Sequence, residues 1–84
     1  MKKVSIIITN YNNDKYLGRA IRSCINQNFP TSEIEVIVVD DGSTDNSRKV
    51  IENFEEKIIH IYLKKNQGVS YASNEGIKKA RGNK

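Results

Sequence analysis

Short runs rich in valine and isoleucine alternate with helical segments along the chain, and this alternation limits the possible folds more than any other feature. The runs are the predicted strands β1 (residues 4–9), β2 (35–40) and β3 (58–62). Continuous apolar runs of this length are typical of strands that are buried on both faces of a sheet. Strands that alternate with helices form a parallel sheet joined by helical crossovers. The sequence therefore predicts an α/β fold with the order βαβαβα.

Apolar residues at helical spacing follow each predicted strand. The first helix, α1, begins near Asp14 and ends near Phe29–Pro30, and the second, α2, begins within the polar loop at residues 41–45. The third, α3, follows the turn at residues 66–68 and has a narrow face of small residues that allows close packing on a sheet. The candidate N-terminal caps are Asn12, Asn13 or Asp14 for α1 and Ser43 or Thr44 for α2. The α3 face consists of Val69, Ala72, Ser73, Gly76, Ile77 and Ala80.

The connection rules for parallel sheets predict the strand order β3-β2-β1, with α1 and α2 on one face and α3 on the other. The fold is then a three-layer sandwich. A fourth strand normally returns beside β1, and without it the β1 edge leaves backbone groups unpaired and favours self-association with another copy. Ligands of such sheets bind at the carboxyl ends of the strands. That rule places residues 9–11 beside residues 40–43.

The composition argues against several classes of function. The chain has 84 residues, enough for one domain at most, and a net charge of +4. Its lysines are spread along the chain without interleaved aromatic residues, so we expect no nucleic-acid partner. Cys24 is the only cysteine, which excludes an internal disulfide and predicts a core-packing role. Neither the GxGxxG nor the GxxxxGK motif occurs, which argues against a dinucleotide-binding or P-loop enzyme.

Catalytic and targeting signals are also missing from these residues. His60 is the only histidine and lies within a predicted strand, so we assign it no role and draw no Ser-His-Asp or Cys-His set. The apolar run at residues 4–8 is too short for a signal peptide. No apolar stretch approaches the roughly 20 residues that span a bilayer.

Two adjacent carboxylates, Asp40 and Asp41, stand at the end of β2. Neighbouring side chains at a strand end point in different directions, so the two need not share one role. An ionised carboxylate accepts hydrogen bonds only, which suits an imide N–H of a base or the hydroxyls of a ribose. The alternative is that both bond the turn around Gly42 or the amides that open α2. For Asp40 the two interpretations are balanced, and for Asp41 we favour the ligand.

Tyr11 follows β1 among asparagines, where a large ring has little core to join, and stacking on a base fits this place. The alternative is a half-buried tyrosine that covers α1. Thr9 is a weaker candidate, since threonine at a strand end is usually structural. The turn Asn66-Gln67-Gly68 opens α3, and its backbone N–H groups suit a phosphate. A plain helix-start turn is the commoner explanation of that segment.

Four segments taken together closely resemble the start of glycosyltransferase family 2. They are Val4–Asn12, Val38–Asp45, Asn66–Gly68 and Ala72–Ile77, and they occur in the order and spacing of β1, β2 and α3. The resemblance covers essentially the whole chain. It implies a GT-A fold and an inverting transfer of a sugar from a nucleotide-diphospho-sugar donor. It also implies a divalent metal, usually Mg²⁺ or Mn²⁺, in the full-length enzyme.

Carried over by position, the resemblance assigns Thr9 and Tyr11 to the nucleotide base, with Tyr11 stacked on it. It assigns Asp41 to the imide of a uracil-like base and makes Asp40 line the same pocket. Ser73 departs from the family, since many members have arginine at that position. With the turn at Asn66 and Gly68, these residues form the predicted nucleotide site.

The resemblance also indicates what residues 1–84 lack. The family's metal-binding Asp-x-Asp follows the next strand, its catalytic carboxylate lies further on, and no aspartate follows Asp45 here. We therefore expect residues 1–84 to be an incomplete, N-terminal donor-nucleotide-binding part that holds no metal and transfers no sugar by itself. The family suggests a saccharide or lipid-linked acceptor and a role in surface polysaccharide synthesis. It also suggests a cytoplasmic location, which includes the inner face of the membrane if other parts of the protein attach there.

A different class of function fits the same pattern. A βαβαβα chain with an acidic loop is also compatible with a non-catalytic nucleotide-binding or interaction module. A phospho-accepting receiver domain fits less well, because its acidic pair follows β1 and another aspartate follows β3, whereas here the pair follows β2.

Overall fold

A computed structural model describes residues 4–25 and 33–80, and these residues contain the predicted elements in the predicted order. The strands are β1 (Val4–Asn10), β2 (Ile34–Asp40) and β3 (Ile59–Tyr62). The helices are α1 (Asp14–Ile25), α2 (Ser47–Glu52) and α3 (Val69–Lys79). The predicted end of α1 near Phe29–Pro30 lies outside the described residues. None of these helices is long and apolar enough to cross a lipid bilayer.

The three strands form one parallel sheet in the order β1-β2-β3, which confirms the predicted arrangement. Asn10 pairs with Asp40 across β1 and β2, and Asp40 pairs with Tyr62 across β2 and β3. The three strands therefore end in one row. Because parallel strands share a direction, the loops that follow them leave from the same edge of the sheet.

Strand β2 supplies both cores, because its successive side chains point to opposite faces. Val36 and Val38 pack with α1 and α2 on one face. Ile37 and Val39 pack with Ala72 of α3 on the other face. This arrangement is the predicted three-layer sandwich, with two helices on one side of the sheet and one on the other.

Strand β1 packs on both faces through Ile7 and Ile8, but it is less buried than predicted. Residues 4–9 are all partly exposed, whereas residues 35–40 of β2 are all buried. The reason is position in the sheet, since β1 pairs only with β2 among the described strands while β2 has a neighbour on each side.

Helix α3 uses only part of its predicted small-residue face. Ala72 and Gly76 are buried, but Val69 and Ile77 are 65% and 59% exposed. A side-chain carbon added at Gly76 would lie 2.6 Å from Cγ2 of Ile7. The helix therefore lies so close to β1 that only its smallest residues fit the contact, and the larger residues beside them remain outside.

The predicted caps of α2 are also wrong. The helix begins at Ser47, its cap position is Asn46, and no side chain caps it there. Asp45 instead accepts a hydrogen bond from the Ser47 amide at 2.9 Å. The hydroxyl of Ser43 is not available to α2, because it donates to Asp40 at 2.6 Å.

Candidate functional site

A cleft of about 330 Å³ opens where the strands end, as the rule for parallel sheets predicts. Every predicted site residue except Asp40 lines it. The lining residues are Thr9, Asn10, Tyr11, Asn13, Asp41, Asn66, Gly68 and Val69. The fold thus joins the segments after β1, β2 and β3 around one space, although they are far apart in the sequence.

Asp40 lies behind the cleft and has no exposed surface. Its Oδ1 accepts hydrogen bonds from the Ser43 hydroxyl at 2.6 Å and from the Asn10 amide group at 3.0 Å. Its Oδ2 accepts from the Ser43 backbone N–H at 3.1 Å and lies 3.6 Å from Nε of Arg48. The expectation that Asp40 lines the pocket is therefore wrong. The carboxylate stabilises the turn that follows β2, which is the structural alternative.

Arg48 joins α2 to the end of β3. Its Nη2 donates to the carbonyl oxygen of Leu63 at 3.2 Å, and its guanidinium lies 4.7 Å from the ring centre of Tyr62. Burial raises the pKa of Tyr62, nearby carboxylates including Glu52 and Asp40 raise it further, and the charge of Arg48 lowers it. The sequence contained no signal that Arg48 connects α2 to Asp40 and to the end of β3, because a single arginine near a helix start is most often solvated.

Asp41 lines the cleft and is only 4% exposed. Its Oδ1 accepts a hydrogen bond from the Gln67 amide at 2.8 Å, and its Oδ2 accepts from the Gly68 amide at 3.0 Å. Both donors stand at the N-terminus of α3, where the helix dipole favours a negative charge. Each carboxylate oxygen can accept a second hydrogen bond. Asp41 therefore holds the turn before α3, whereas the predicted structural alternative was the turn around Gly42 or the start of α2. Its carboxylate also lines the cleft, where the ligand role stays a prediction.

The hydrogen bonds to Asp41 contradict the expectation that the backbone N–H groups of the turn at residues 66–68 bind a phosphate. The amides of Gln67 and Gly68 donate to Asp41, and Oδ1 of Asn66 accepts from the Gly68 amide at 3.1 Å. These N–H groups are engaged within the protein, so they are not directed at a phosphate. Asn66 and Gly68 remain part of the cleft wall.

Two glycines allow the β2 and β3 loops to meet. Gly42 has φ +75°, and a side-chain carbon there would lie 2.5 Å from the backbone nitrogen of Asn66 and closer still to the carbonyl carbon of Lys65. Gly68 has φ 98° and ψ 156°, a conformation that is essentially restricted to glycine. Gly42 is required by the close approach of the two loops and Gly68 by its backbone conformation, and together they bring the α3 turn within reach of Asp41.

Tyr11 stands at the lip of the cleft with 47% of its surface exposed. Asn10 beside it is buried, and Thr9 is partly exposed within β1. The ring therefore has an open side toward the cleft, as a stacking role requires.

The loops after β1 and β2 are joined by a reciprocal pair of hydrogen bonds. The Asp14 amide donates to Oδ2 of Asp45 at 3.0 Å, and the Asn46 amide donates to Oδ2 of Asp14 at 3.0 Å. Burial raises the pKa of Asp45, but hydrogen bonds from Ser47 and from the Asp14 amide outweigh this, so the pKa lies below its ordinary value. The start of α1 is thus held by a carboxylate from the other loop.

The described residues offer little for a metal or a reactive thiol. Across residues 4–25 and 33–80, no group of three or more His, Cys, Asp or Glu side chains is placed to hold an ion. Cys24 packs against the core beneath α1 and α2, and burial raises the pKa of its thiol. This agrees with the core-packing role predicted for the cysteine.

Comparison with known proteins identifies the family. The profile of glycosyl transferase family 2 matches residues 5–83. The chain belongs to glycosyltransferase family 2. The resemblance in the four segments is thereby confirmed over almost the entire chain.

Curated members of family 2 are similar along nearly all of the chain. An uncharacterized glycosyltransferase of Nostoc is 47% identical over 83 residues, which is 95% of this chain and 25% of the relative. The putative teichuronic acid biosynthesis glycosyltransferase TuaG of Bacillus subtilis is 35% identical over 94% of this chain and 32% of its own length. The chain therefore spans a quarter to a third of these relatives.

Solved structures confirm the GT-A fold. The crystal structure of Staphylococcus aureus TarS 1-349 in complex with UDP-GlcNAc matches with a TM-score of 0.87 and 36% sequence identity. The match covers 98% of this chain and 24% of that structure. The three-strand parallel sheet with its helices is thus shared with part of a family 2 enzyme.

Proposed function

We propose that the full-length protein transfers a sugar from a UDP-sugar donor, and that the residues described above hold the donor's nucleotide. One observation carries this proposal: Tyr11 and Asp41 line a single cleft at the strand ends of a fold shared with TarS. The TarS structure at 36% identity was solved with UDP-GlcNAc. The same position in the fold, the same family and a suitable pair of side chains together support a nucleotide in this cleft.

The two side chains suit different parts of a uridine. The exposed ring of Tyr11 offers a flat apolar face to the base, and such stacking contributes about 1–3 kcal/mol. Asp41 is held with both oxygens toward N–H donors, so its remaining acceptors suit the imide N–H of uracil. Thr9 lines the same wall beside them.

The proposed acceptor is a saccharide or a lipid-linked saccharide in surface polysaccharide synthesis. Relatives support this class by their names. TarS is named a poly(ribitol-phosphate) β-N-acetylglucosaminyltransferase, and TuaG is named a putative teichuronic acid biosynthesis glycosyltransferase. We propose a cytoplasmic location for the reaction, as the family resemblance suggests.

The family resemblance implies Mg²⁺ or Mn²⁺ in the full-length enzyme, where the ion would stabilise charge on the departing diphosphate. The described residues do not fit such a site, because they bring no three metal-ligating side chains together. We therefore propose that the ion's ligands come from outside these residues, and we derive no step through it.

Replacing Tyr11 with alanine is expected to weaken UDP binding by the full-length protein at least several-fold, because the stacking face is lost. Tyr11→Phe keeps that face and is expected to bind like the parent. Tyr16→Ala is the matched control, since Tyr16 is 63% exposed on α1 and does not line the cleft. Calorimetry with UDP provides the comparison. Equal affinity for the parent and Tyr11→Ala would refute the stacking role.

A transfer assay on the full-length protein distinguishes the enzyme from the non-catalytic module. A protein that binds UDP but transfers no sugar would favour the module.

The polypeptide of residues 1–84 is expected to transfer no sugar and to self-associate. The family resemblance implies that the metal-binding Asp-x-Asp and the catalytic carboxylate lie outside these residues. Strand β1 forms one edge of the described sheet and has partly exposed apolar residues. Unpaired strand edges of this kind invite pairing with a second copy. A donor-turnover assay and sedimentation over a concentration series measure the two properties. Detectable transfer, or a monomer at every concentration, would contradict the corresponding expectation.

A further inference from the structure

Asn12 follows Tyr11 directly and ties the β1–α1 loop to the loop after β2. Its side-chain oxygen accepts hydrogen bonds from the amides of Thr44 at 2.7 Å and Asp45 at 3.3 Å. Its own backbone N–H donates to the hydroxyl of Ser43 at 2.9 Å. The Thr44 hydroxyl also donates to the side-chain oxygen of Asn12, at 3.5 Å. Asn12 thus makes four hydrogen bonds with a loop more than thirty positions away in the sequence.

The backbone of Asn12 is in an uncommon conformation. Its φ is +51°, and among residues 4–25 and 33–80 it is the only residue other than glycine with a positive φ. The left-handed region costs most residues about 1–2 kcal/mol, and asparagine tolerates it better than they do. Strain of this kind persists where the surrounding contacts enforce it, and it concentrates at functional sites.

The residues before and after Tyr11 in the sequence are both fixed by hydrogen bonds, whereas Tyr11 itself is half exposed. Before it, Asn10 donates through Nδ2 to Asp40 at 3.0 Å and to Ser43 at 3.3 Å. After it, Asn12 is bonded to the same loop. Tyr11 is 47% exposed and does not belong to either core cluster. The backbone that carries the ring therefore limits the directions in which the ring can point.

We propose that Asn12 is a positioning residue for donor binding, which orients Tyr11 toward the cleft beside Asp41. The inference rests on the proposed function, because it concerns the nucleotide site of that same reaction. Asn12 is exposed, so its hydrogen bonds add little to the core. They reduce the freedom of the Tyr11 loop before the ligand arrives, and preorganisation of this kind increases affinity by lowering the entropic cost of binding.

Two substitutions distinguish the effect of the left-handed backbone at Asn12 from the effect of its side-chain hydrogen bonds. Asn12→Gly tolerates the left-handed conformation and removes the acceptor, and we expect it to weaken UDP binding by the full-length protein about 3- to 10-fold. Asn12→Asp keeps an oxygen for the amides of Thr44 and Asp45 and is expected to retain most of the affinity. Salt screens the negative charge that this substitution adds. Measuring the UDP affinity of Asn12→Asp at low and at high salt therefore shows how much of any change comes from that charge.

A double-mutant cycle with Tyr11→Ala distinguishes positioning from general stabilisation. If Asn12 acts through Tyr11, Asn12→Gly weakens UDP binding in the parent but has almost no further effect once Tyr11 is alanine. Thermal unfolding of each variant identifies any loss of fold. Additive effects, or unchanged affinity of Asn12→Gly in the parent, would overturn the positioning role while Tyr11→Ala alone still supports the proposed function. If the parent binds no UDP, the proposed function fails and the positioning role fails with it.

Discussion

Replacing Asp41 with alanine is expected to abolish measurable UDP binding and to destabilise the protein at the same time. The carboxylate accepts hydrogen bonds from the amides of Gln67 and Gly68 and lines the cleft. Hydrogen bonds to a charged group contribute about 1.5–3 kcal/mol each, and buried donors that lose their partner cost about 1–3 kcal/mol. The variant therefore loses the anchor of the α3 turn together with the proposed contact to the base.

The two losses can be separated with a second substitution and a matched control. Asp41→Asn keeps the shape but offers one acceptor oxygen to two amides, so we expect an intermediate stability and weak UDP binding. Asp45→Asn is the control, because Asp45 also accepts from two backbone amides but does not line the cleft. It should lose stability and, while folded, lose less affinity than Asp41→Asn, because its carboxylate supports the loop that carries Tyr11 without lining the cleft. Calorimetry and thermal unfolding give both quantities, and normal UDP affinity in folded Asp41→Asn would place Asp41 in the turn alone.

Replacing Gly42 with alanine is expected to separate the two loops that form the cleft. The positive φ of +75° costs an alanine about 1–2 kcal/mol, and overpacking costs about 1–3 kcal/mol more. The contacting atoms belong to the backbone at Lys65 and Asn66, which cannot rotate away as a side chain does. The loop must shift, and with it the amides that hold Asp41. Both the free energy of unfolding and the UDP affinity should therefore fall.

Gly18→Ala provides the comparison for this substitution. Gly18 lies inside α1, and the nearest atom to an added carbon there is a guanidinium nitrogen of Arg22 at 3.4 Å. Alanine in a helix interior is more favourable than glycine by about 0.5–1 kcal/mol, so we expect a small gain in stability and unchanged binding. Chemical denaturation of both variants tests the contrast. Equal stability and equal UDP affinity for Gly42→Ala and the parent would show that the loop contact does not determine the cleft.

The sequence alone predicted the elements and the place of the site. Runs of β-branched residues and helical spacing act over a few neighbouring residues, so they indicate strands and helices without knowledge of distant contacts. Parallel pairing then brings Thr9 and Asp41 to one edge of the sheet, and both line the cleft. The exposed position of Tyr11 followed in the same way from its place after β1.

The tertiary structure decided what depends on distant partners. Which of two adjacent aspartates faces the cleft depends on Ser43 and Arg48 around Asp40 and on the α3 turn beside Asp41. That turn lies 26 residues beyond Asp41, and no local pattern relates the two positions. The start of α2 and the partial exposure of β1 likewise depend on contacts with distant parts of the chain. Local residue patterns determine which elements form, whereas hydrogen bonds and close contacts between distant segments determine what each side chain at their ends can reach.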